Sequence, residues 1–510
     1  MSNNNDSHPK GLYLLFFTEM WERFSYYGMR AIFILFLTKA LFMTDAAASN
    51  LYGSYTGLVY LTPLLGGYIS DRFWGNRRSI LIGGLLMAIG QFLMFLSGSS
   101  ITDGTQSASA ISMMWAGLTF LIIGNGFFKP NISTMVGQLY PKGDHRIDGA
   151  FTIFYMGINL GAFFSPLVCG GLGDTGNIHD FRWGFLAACI GMLVSTISFE
   201  LLKNKYLRTS EGEPVGMPKA KMDGKTWGVL IGAVALIFFF LNFQRIFNTE
   251  LDVIGYLIYA SMIIIPAVII SDKTLTKDEK ERIWVIFILV FFVIFFWACF
   301  EQAGASLTLF ADSQTNRHIG GWEMPSSWFQ SINPLGIILL APLFTMLWNA
   351  LNKRKLEPSS PMKMAFGLLL LSLGYVVIAF GVHGVDASTK ISMWWLVTLY
   401  ILHTMGELSL SPIGLSMVSK LAPVRFASLL MGTWFLGNAA ANKFAGTLSA
   451  LIPPGAESIV AGPVTYPTFM GVEINNLYTF FCVFIGLSGA ASIILFLIYR
   501  KLEKMMHGVH

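Results

Sequence analysis

Charged residues and cysteines are scarce in this sequence. Asp, Glu, Lys and Arg together make up 12% of 510 residues, against roughly 25% in soluble proteins. The four cysteines all fall in apolar segments: Cys169, Cys189, Cys299 and Cys482. This placement argues against a disulfide framework or a CxxC metal site. With 54% hydrophobic residues, the composition excludes a soluble protein that binds nucleic acid and predicts an all-α polytopic membrane protein.

Three well-known catalytic motifs are also missing. The sequence has no GxxxxGK[ST] nucleotide loop, no HExxH metal motif and no GxSxG nucleophile turn. Without a nucleotide loop, the chain has no means of its own to drive transport by hydrolysis. We therefore expect no enzyme, no cofactor and no bound metal, and any uphill transport would depend on an ion or substrate gradient.

Apolar segments that could cross a bilayer are abundant. A hydrocarbon core of about 30 Å requires roughly 20 helical residues. The N-terminal MSNNNDSHPK lacks the form of a cleavable signal peptide, so the first segment is expected to be retained. Apolar runs between charged or Gly- and Pro-rich loops predict fourteen helices: 12–41, 50–70, 79–98, 111–139, 147–170, 183–202, 226–246, 252–271, 282–310, 328–349, 362–382, 391–419, 426–450 and 476–499.

The distribution of Lys and Arg predicts the topology. If the N-terminus is inside, the inner loops hold most basic residues, for example Arg77, Arg78 and the run 353–355. This bias, with an even number of helices, predicts that the N- and C-termini are both cytoplasmic. A charged link after residue 202 predicts three parts: an N-terminal six-helix bundle (1–202), an inner linker plus two extra transmembrane helices (203–281) and a C-terminal six-helix bundle (282–510).

The first apolar segment carries unusual charge. Its sequence is LLFFTEMWERFSYYGMRAIFILFLTKAL, and steps of three, four and seven residues bring its polar groups to one helical face. The members are Glu19, Glu22, Arg23, Tyr26, Tyr27 and Arg30. A surface amphipathic helix is the alternative, but apolar residues surround the charges on both sides. Because charge within a span costs several kcal/mol unless it faces a cavity or a partner, we predict a buried polar stripe that lines a path.

Three further charged residues lie deep in other segments. Lys129, in GLTFLIIGNGFFKPNISTMVG, is roughly 18 Å along a helix from Pro141. Snorkelling to the interface is the alternative, but this depth favours a partnership with the charges of the first segment. Glu301 and Glu407 lie in the second half. A carboxylate inside the membrane is a functional hypothesis by default, with a purely structural role as the alternative.

Amides and aromatic residues accompany these charges. Asn159 and Asn333 lie within spans, and an ordinary inter-helix hydrogen bond would explain either amide equally well. Asn333 precedes Pro334, where a local break could free backbone carbonyls. Six aromatic residues could line pockets for varied side chains, although each alone is consistent with packing or an interfacial belt: Tyr26, Tyr27, Tyr60, Tyr155, Trp297 and Trp434.

The two halves carry charges of opposite sign. The first half offers Arg23, Arg30 and Lys129, whereas the second offers Glu301 and Glu407. A cavity between the halves would have a cationic wall and an anionic wall, which suits a zwitterion. The carboxylates could also take up protons.

Several motifs resemble one family. Glu19-x-x-Glu22-Arg23, followed by FSYYGMR, resembles the ExxER motif of the proton-dependent oligopeptide transporters, the POT or PTR family of the major facilitator superfamily. LVYLTPLLGGYISDRFWGNRR, GNGFFKPNIST, FYMGINLGAF and GELSLSPIGLS are similar to that family's helices 2, 4, 5 and 10. Bacterial members have two extra helices between the bundles, similar to the pair at 226–271. The resemblance implies a major facilitator fold with 14 transmembrane helices in a bacterial inner membrane.

The resemblance also implies function and residue roles. It implies symport of di- and tripeptides with protons by alternating access, with peptide-like drugs as further substrates. The implied carboxylate-binding residues are Arg23, Arg30 and Lys129, and the implied amino-end residues are Asn159, Asn333 and Glu407. The implied side-chain pocket consists of Tyr26, Tyr27, Tyr60, Tyr155, Trp297 and Trp434. The implied proton-coupling residues are Glu19, Glu22, Arg23, Lys129 and Glu301, with Arg30 pairing to Glu301 or Asp312 when the outer gate closes.

One position departs from the family's animal members, which have a histidine seven residues before the tyrosine of YLTP. That tyrosine is Tyr60 here, and the matching position is Gly53. Proton coupling would then rest on the carboxylates.

Two other functions are alternatives to peptide transport. A drug or sugar carrier of the same superfamily is the main one, and a membrane receptor without transport is the other. The long inner loop has no recognisable signalling domain, which argues against a receptor.

Overall fold

The fourteen apolar segments all form helices. The computed structural model describes residues 7–141, 144–209, 211–218, 223–249, 251–455 and 465–508, so the polar N-terminal residues 1–6 lie outside it. The helices are α1 (Lys10–Leu35), α2 (Asp45–Leu61), α3 (Gly75–Ser99), α4 (Ala108–Gln138), α5 (Ile147–Ser165), α6 (Phe181–Tyr206), α7 (Gly224–Leu241), α8 (Val253–Ile270), α9 (Lys277–Phe300), α10 (Ile332–Lys353), α11 (Ser360–Val382), α12 (Met393–Leu421), α13 (Ala427–Ser449) and α14 (Leu477–Met505).

Short helical segments and strands join or extend these helices. The short α-helices are Pro63–Ile69, Gly171–Gly173, Phe243–Phe247 and Ser306–Ser313, and the π-helical turns are Phe36–Ala40, Ser70–Trp74 and Pro166–Gly170. The 3₁₀ turns are Ile178–Asp180, Glu301–Gly304, Ser326–Ser331 and Val424–Phe426. Three two-residue strand pairs lie in the loops: β1 (Thr315–Asn316) with β4 (Ile391–Ser392), β2 (His318–Ile319) with β3 (Trp322–Glu323), and β5 (Thr468–Phe469) with β6 (Val472–Glu473).

Many of these helices can cross a membrane. Within the described ranges, nine helical segments are long and apolar enough to do so. Helix α1 also has the length, and four of its five charged side chains are buried inside the protein. A helix satisfies its own backbone hydrogen bonds, which lipid cannot do, so helical spans are the expected architecture.

The chain divides into two compact units. The N-terminal unit comprises Met1–Phe42 and Leu58–Asp252, and the C-terminal unit comprises Met43–Gly57 and Val253–His510. In the N-terminal unit, α1 packs against α5 and α6, and α3 packs against α4 and α6. In the C-terminal unit, α11 packs against α12 and α14, and α9 packs against α13.

Small residues explain why the first part of α2 belongs to the C-terminal unit. A Cβ placed on Gly53 would lie 2.7 Å from the Cα of Gly446 in α13, so neither position has room for a side chain. The hydroxyls of Ser49 and Ser449 lie 2.9 Å apart in the same contact. Close approach of helix backbones through small residues is a common way to pack membrane helices. The backbone of Gly446 therefore occupies the space that a side chain at position 53 would need, which is the position of the histidine in animal members.

Two local structures differ from the expectations. The segment expected at 282–310 is interrupted, because α9 ends at Phe300 and Glu301 begins a 3₁₀ turn. The local break that the sequence allowed at Asn333 is not found. Helix α10 begins at Ile332, so Pro334 lies in its first turn, where the missing N–H costs no intrahelical bond.

Arg77 is buried, although its sequence position suggested a solvated inner loop. Its Nε donates to the carbonyl of Val215 at 2.6 Å and its Nη2 to that of Leu207 at 2.5 Å. Its Nη1 donates to Asn204 Oδ1 at 3.0 Å. The start of α3 thus holds the first part of the link that follows α6.

Candidate functional site

Three charged side chains of α1 form one compact group. Arg23 Nε donates to Glu19 Oε1 at 2.7 Å and lies 3.2 Å from Glu22 Oε2. All three residues are buried. The separation of four residues places Glu19 and Arg23 one turn apart on the same helical face. The predicted polar stripe therefore exists, and its charges are largely paired with one another.

Helix α4 contributes two side chains to the surroundings of this group. Asn125 Nδ2 donates to Glu22 Oε1 at 3.3 Å. Lys129, one turn further along, lies with its Nζ 4.1 Å from the ring centroid of Tyr60. Its positive charge also acts on Glu22. The ammonium of Lys129 therefore rests on an aromatic face. Its partnership with the charges of α1 stays a prediction.

The remaining predicted residues of α1 lie one to two turns further on. The rings of Tyr26 and Tyr27 meet edge to face with centroids 5.2 Å apart. The guanidinium of Arg30 lies 5.7 Å from the ring centroid of Tyr27, and Arg30 is buried. Aromatic faces stabilise cations that are withdrawn from water. Arg30 thus lies buried within the N-terminal unit beside an aromatic pair.

Tyr155 and Asn159 occupy successive turns of α5. Asn159 is buried, and its Nδ2 donates to the carbonyl of Tyr155 at 3.0 Å. The side chain of Tyr155 is exposed at the surface of its unit. The sequence prediction assigned both to the substrate, and the structure shows them one turn apart on one helix.

In the C-terminal unit, Asn333 holds Glu407. The Nδ2 of Asn333 in α10 donates to Glu407 Oε2 at 2.8 Å and to Thr404 Oγ1 at 3.1 Å. Glu407 is 8% exposed. The amide thus joins α10 to two residues one turn apart on α12. It fixes the orientation of a carboxylate that would otherwise be costly to bury.

Glu301 and two tryptophans complete the predicted set. Glu301 is buried in the 3₁₀ turn that follows α9. Trp297, one turn earlier, contacts Phe300 edge to face with centroids 5.2 Å apart. Trp434 of α13 is buried. Asp312, which the resemblance offered as a partner of Arg30, lies 3.6 Å from Arg317 in its own unit.

Some polar residues in these clusters were not singled out from the sequence. Asn125 and Thr404 are of this kind. The clearest signal was the GNG triplet around Asn125, because glycines on both sides of a polar residue in a membrane helix indicate close packing. Thr404 gave no comparable signal.

Relatives of known name cover almost the whole chain. A family model described as the POT family matches residues 77–463. Peptide transporter YePEPT of Yersinia enterocolitica is 38% identical over 465 residues, which cover 87% of this chain and 88% of the relative. A di-/tripeptide transporter of Lactococcus lactis subsp. cremoris is 33% identical over 466 residues, with coverage of 88% and 90%.

Solved structures also match this chain along almost its whole length. The crystal structure of peptide transporter POT in complex with sulfate matches with a TM-score of 0.82 and 33% identity, over 98% of this chain and 96% of that one. A POT family transporter in complex with 5-aminolevulinic acid matches with a TM-score of 0.81 and 32% identity, over 97% of each chain. The fold is therefore that of a multi-pass major facilitator transporter, as predicted, and not that of an enzyme. With its motifs, its helices and its relatives in agreement, the chain belongs to the POT family.

Proposed function

We propose that this protein is a symporter that imports di- and tripeptides together with protons across a bacterial inner membrane. Both termini would lie in the cytoplasm, as the bias of Lys and Arg toward the inner loops suggests. Family membership supports peptide transport, and relatives of this chain carry the names peptide transporter and di-/tripeptide transporter. Alternating access of two six-helix bundles, with the helices of 203–281 between them in sequence, would carry the peptide.

The observation that carries this proposal is the contrast in charge between the two units. The N-terminal unit offers Arg30 and Lys129, each beside a tyrosine ring, and the already paired Arg23. Such cations suit the carboxylate of a peptide. Tyr26, Tyr27, Tyr60 and Tyr155 would contact peptide side chains.

The C-terminal unit supplies the opposite charge. Glu407, oriented by Asn333, would bind the peptide amino group, with Asn159 of α5 as a further polar contact. Trp297 and Trp434 would add to the side-chain pocket. A substrate with a positive amino end and a negative carboxyl end matches these groups, whereas a neutral sugar does not.

The proton would be carried by buried carboxylates. Glu19 and Glu22 share Arg23, and Glu301 is a further buried carboxylate in the C-terminal unit. When a proton neutralises one of these carboxylates, its hold on the neighbouring cations weakens, and a peptide carboxylate can then take its place. The coupling would therefore arise from competition between protein and peptide carboxylates for Arg23, Arg30 and Lys129.

Uptake by the purified protein in proteoliposomes tests the proposal. A labelled dipeptide should accumulate when the interior is made alkaline, and a protonophore should abolish the accumulation. Excess unlabelled di- and tripeptides should compete, whereas single amino acids and sugars should not. Competition by sugars or by apolar drugs alone would favour another carrier class, and the absence of counterflow for any peptide would contradict transport of peptides altogether.

A further inference from the structure

Asn125 contacts one of the buried carboxylates although it carries no charge itself. It lies in the middle of α4, is 1% exposed, and its Nδ2 is 3.3 Å from Glu22 Oε1. We propose that Asn125 is a positioning residue that holds Glu22 in its ionised form and thereby sets the pH range over which this protein couples proton entry to peptide uptake. This inference rests on the proposed function and adds a residue to it.

The backbone of α4 is fixed on both sides of Asn125. A Cβ on Gly124 would lie 2.7 Å from the carbonyl oxygen of Gly83 in α3. A Cβ on Gly126 would lie 2.8 Å from the Cβ of Thr62, which precedes the short helix Pro63–Ile69. These contacts leave no room for side chains and clamp the helix between two neighbours. The side chain of Asn125 is therefore presented to α1 from a backbone that cannot easily shift.

The two oxygens of Glu22 make different contacts, and only Oε1 accepts a hydrogen bond from a residue that the structure describes. Oε2 lies 3.2 Å from Arg23 Nε, whereas Oε1 accepts the hydrogen bond from Asn125. Charged groups near Glu22 include Glu19 and Arg23 of α1 and Lys129 of α4. Helix α3 faces α1 with a neutral side chain, Gln91, which donates to the carbonyl of Ser25. Asn125 is thus the uncharged donor in a group of charges.

The amide of Asn125 can also serve the protonated carboxyl. Its Oδ1 is buried and makes no hydrogen bond with any residue that the structure describes. If the amide turns over, Oδ1 can accept the O–H of a protonated Glu22. A hydrogen bond to an ionised group is roughly twice as strong as one between neutral groups. The net effect of Asn125 is therefore to favour the ionised form.

The experiment measures the pH midpoint of peptide uptake. In Asn125→Leu, which keeps the branched shape and the number of side-chain heavy atoms but has no donor, we expect the midpoint to rise by about one pH unit, because the ionised form loses a hydrogen bond. Asn125→Thr, which keeps a shorter donor, should lie between this variant and the wild type. In a Glu22→Gln background, the same substitutions should leave the pH dependence of peptide counterflow unchanged, since the carboxyl is gone.

Asn131 provides the matched control. It lies on the same helix and is equally buried, but its amide accepts from Asn76 and donates to the carbonyl of Phe127. Asn131→Leu should reduce the amount of folded protein without moving the midpoint. An unchanged midpoint in both Asn125 variants, with normal uptake by the wild type, would overturn the assignment. Failure of wild-type uptake would instead contradict the proposed function, and the thermal stability of purified Asn125→Thr against pH would then still reveal the altered titration relative to wild type.

Discussion

At the scale of single residues, the spacing of residues along one helix predicted contacts within that helix. The sequence did not predict which side chains of different helices are in contact. Glu19 and Arg23 are four residues apart, so their ion pair follows from helix geometry alone. The contact between Lys129 and Tyr60 joins residues far apart in sequence, and only the depth of Lys129 suggested a partner. The bond from Asn125 to Glu22 had no sequence signal beyond two flanking glycines. Side-chain partners on other helices depend on helix rotation, which a single sequence does not reveal.

The first residue-scale prediction concerns Glu407. Glu407→Gln keeps the shape and can keep the bond from Asn333, but it removes the negative charge. We expect KM for a dipeptide with a free amino end to rise about tenfold or more, because a hydrogen bond to a charged group contributes about 1.5–3 kcal/mol. N-acetylated dipeptides should be affected little. Transport of both peptide types in proteoliposomes measures this difference.

Ser409 is a suitable control for Glu407, since it lies on the same helix and its hydroxyl donates to the carbonyl of Met405. Ser409→Ala should leave the ratio between free and acetylated peptides unchanged. An equal loss of both peptides in Glu407→Gln would remove the amino-binding role and leave Glu407 with a structural one.

At the scale of helices, the sequence predicted positions well and interruptions poorly. Runs of apolar residues are sufficient to locate a membrane helix, because every span must bury its backbone polar groups. The 3₁₀ turn at Glu301 follows α9, although no proline in the turn predicts it. At Asn333 a proline follows, but no break is found. Pro334 lies in the first turn of α10, where a proline is well tolerated. Such breaks depend on tertiary contacts.

The contact between Gly53 and Gly446 predicts a steric effect on the packing of α2 against α13. Gly53→Ala places a methyl group 2.7 Å from the Gly446 backbone, so the helices must separate. Overpacking of this kind typically costs about 1–3 kcal/mol, and the thermal unfolding temperature in detergent should fall. Gly232→Ala in α7 has no atom within 4 Å of its new Cβ and should be neutral or slightly stabilising. Equal behaviour of the two variants would contradict this packing.

The two adjacent arginines at the start of α3 make a matched pair. Arg77 is buried and bonds the carbonyls of Leu207 and Val215, whereas Arg78 is exposed. Arg77→Ala should release the link after α6, because each lost bond to a charged donor costs about 1.5–3 kcal/mol. Limited proteolysis should then cleave within 207–218 faster than in the wild type. Arg78→Ala should be cleaved at the wild-type rate. Equal rates for both variants would show that Arg77 does not hold this link in place.

At the scale of the whole molecule, the family resemblance and the charge pattern were sufficient to predict the class. Five ordered motifs predicted a POT transporter, and the family model and relatives confirm it. The opposite charges predicted for the two halves lie within the two units, with Arg30 and Lys129 in one and Glu407 in the other. The assignment of the start of α2 to the C-terminal unit could not be foreseen, because it depends on a contact between small residues far apart in sequence.

Proton coupling is a property of the whole molecule, and Glu22→Gln tests it. The substitution keeps the buried volume and an acceptor for Asn125 but removes the charge that holds Arg23 and the site that takes up the proton. We expect accumulation driven by a pH gradient to be lost, since protonation can no longer switch this carboxylate. Exchange of labelled for unlabelled peptide requires only that loaded carrier reorients, so counterflow should persist. Asp148→Asn, at an exposed residue near the start of α5, should retain both activities. Accumulation at the wild-type level in Glu22→Gln would show that another carboxylate, with Glu301 as the first candidate, carries the coupled proton.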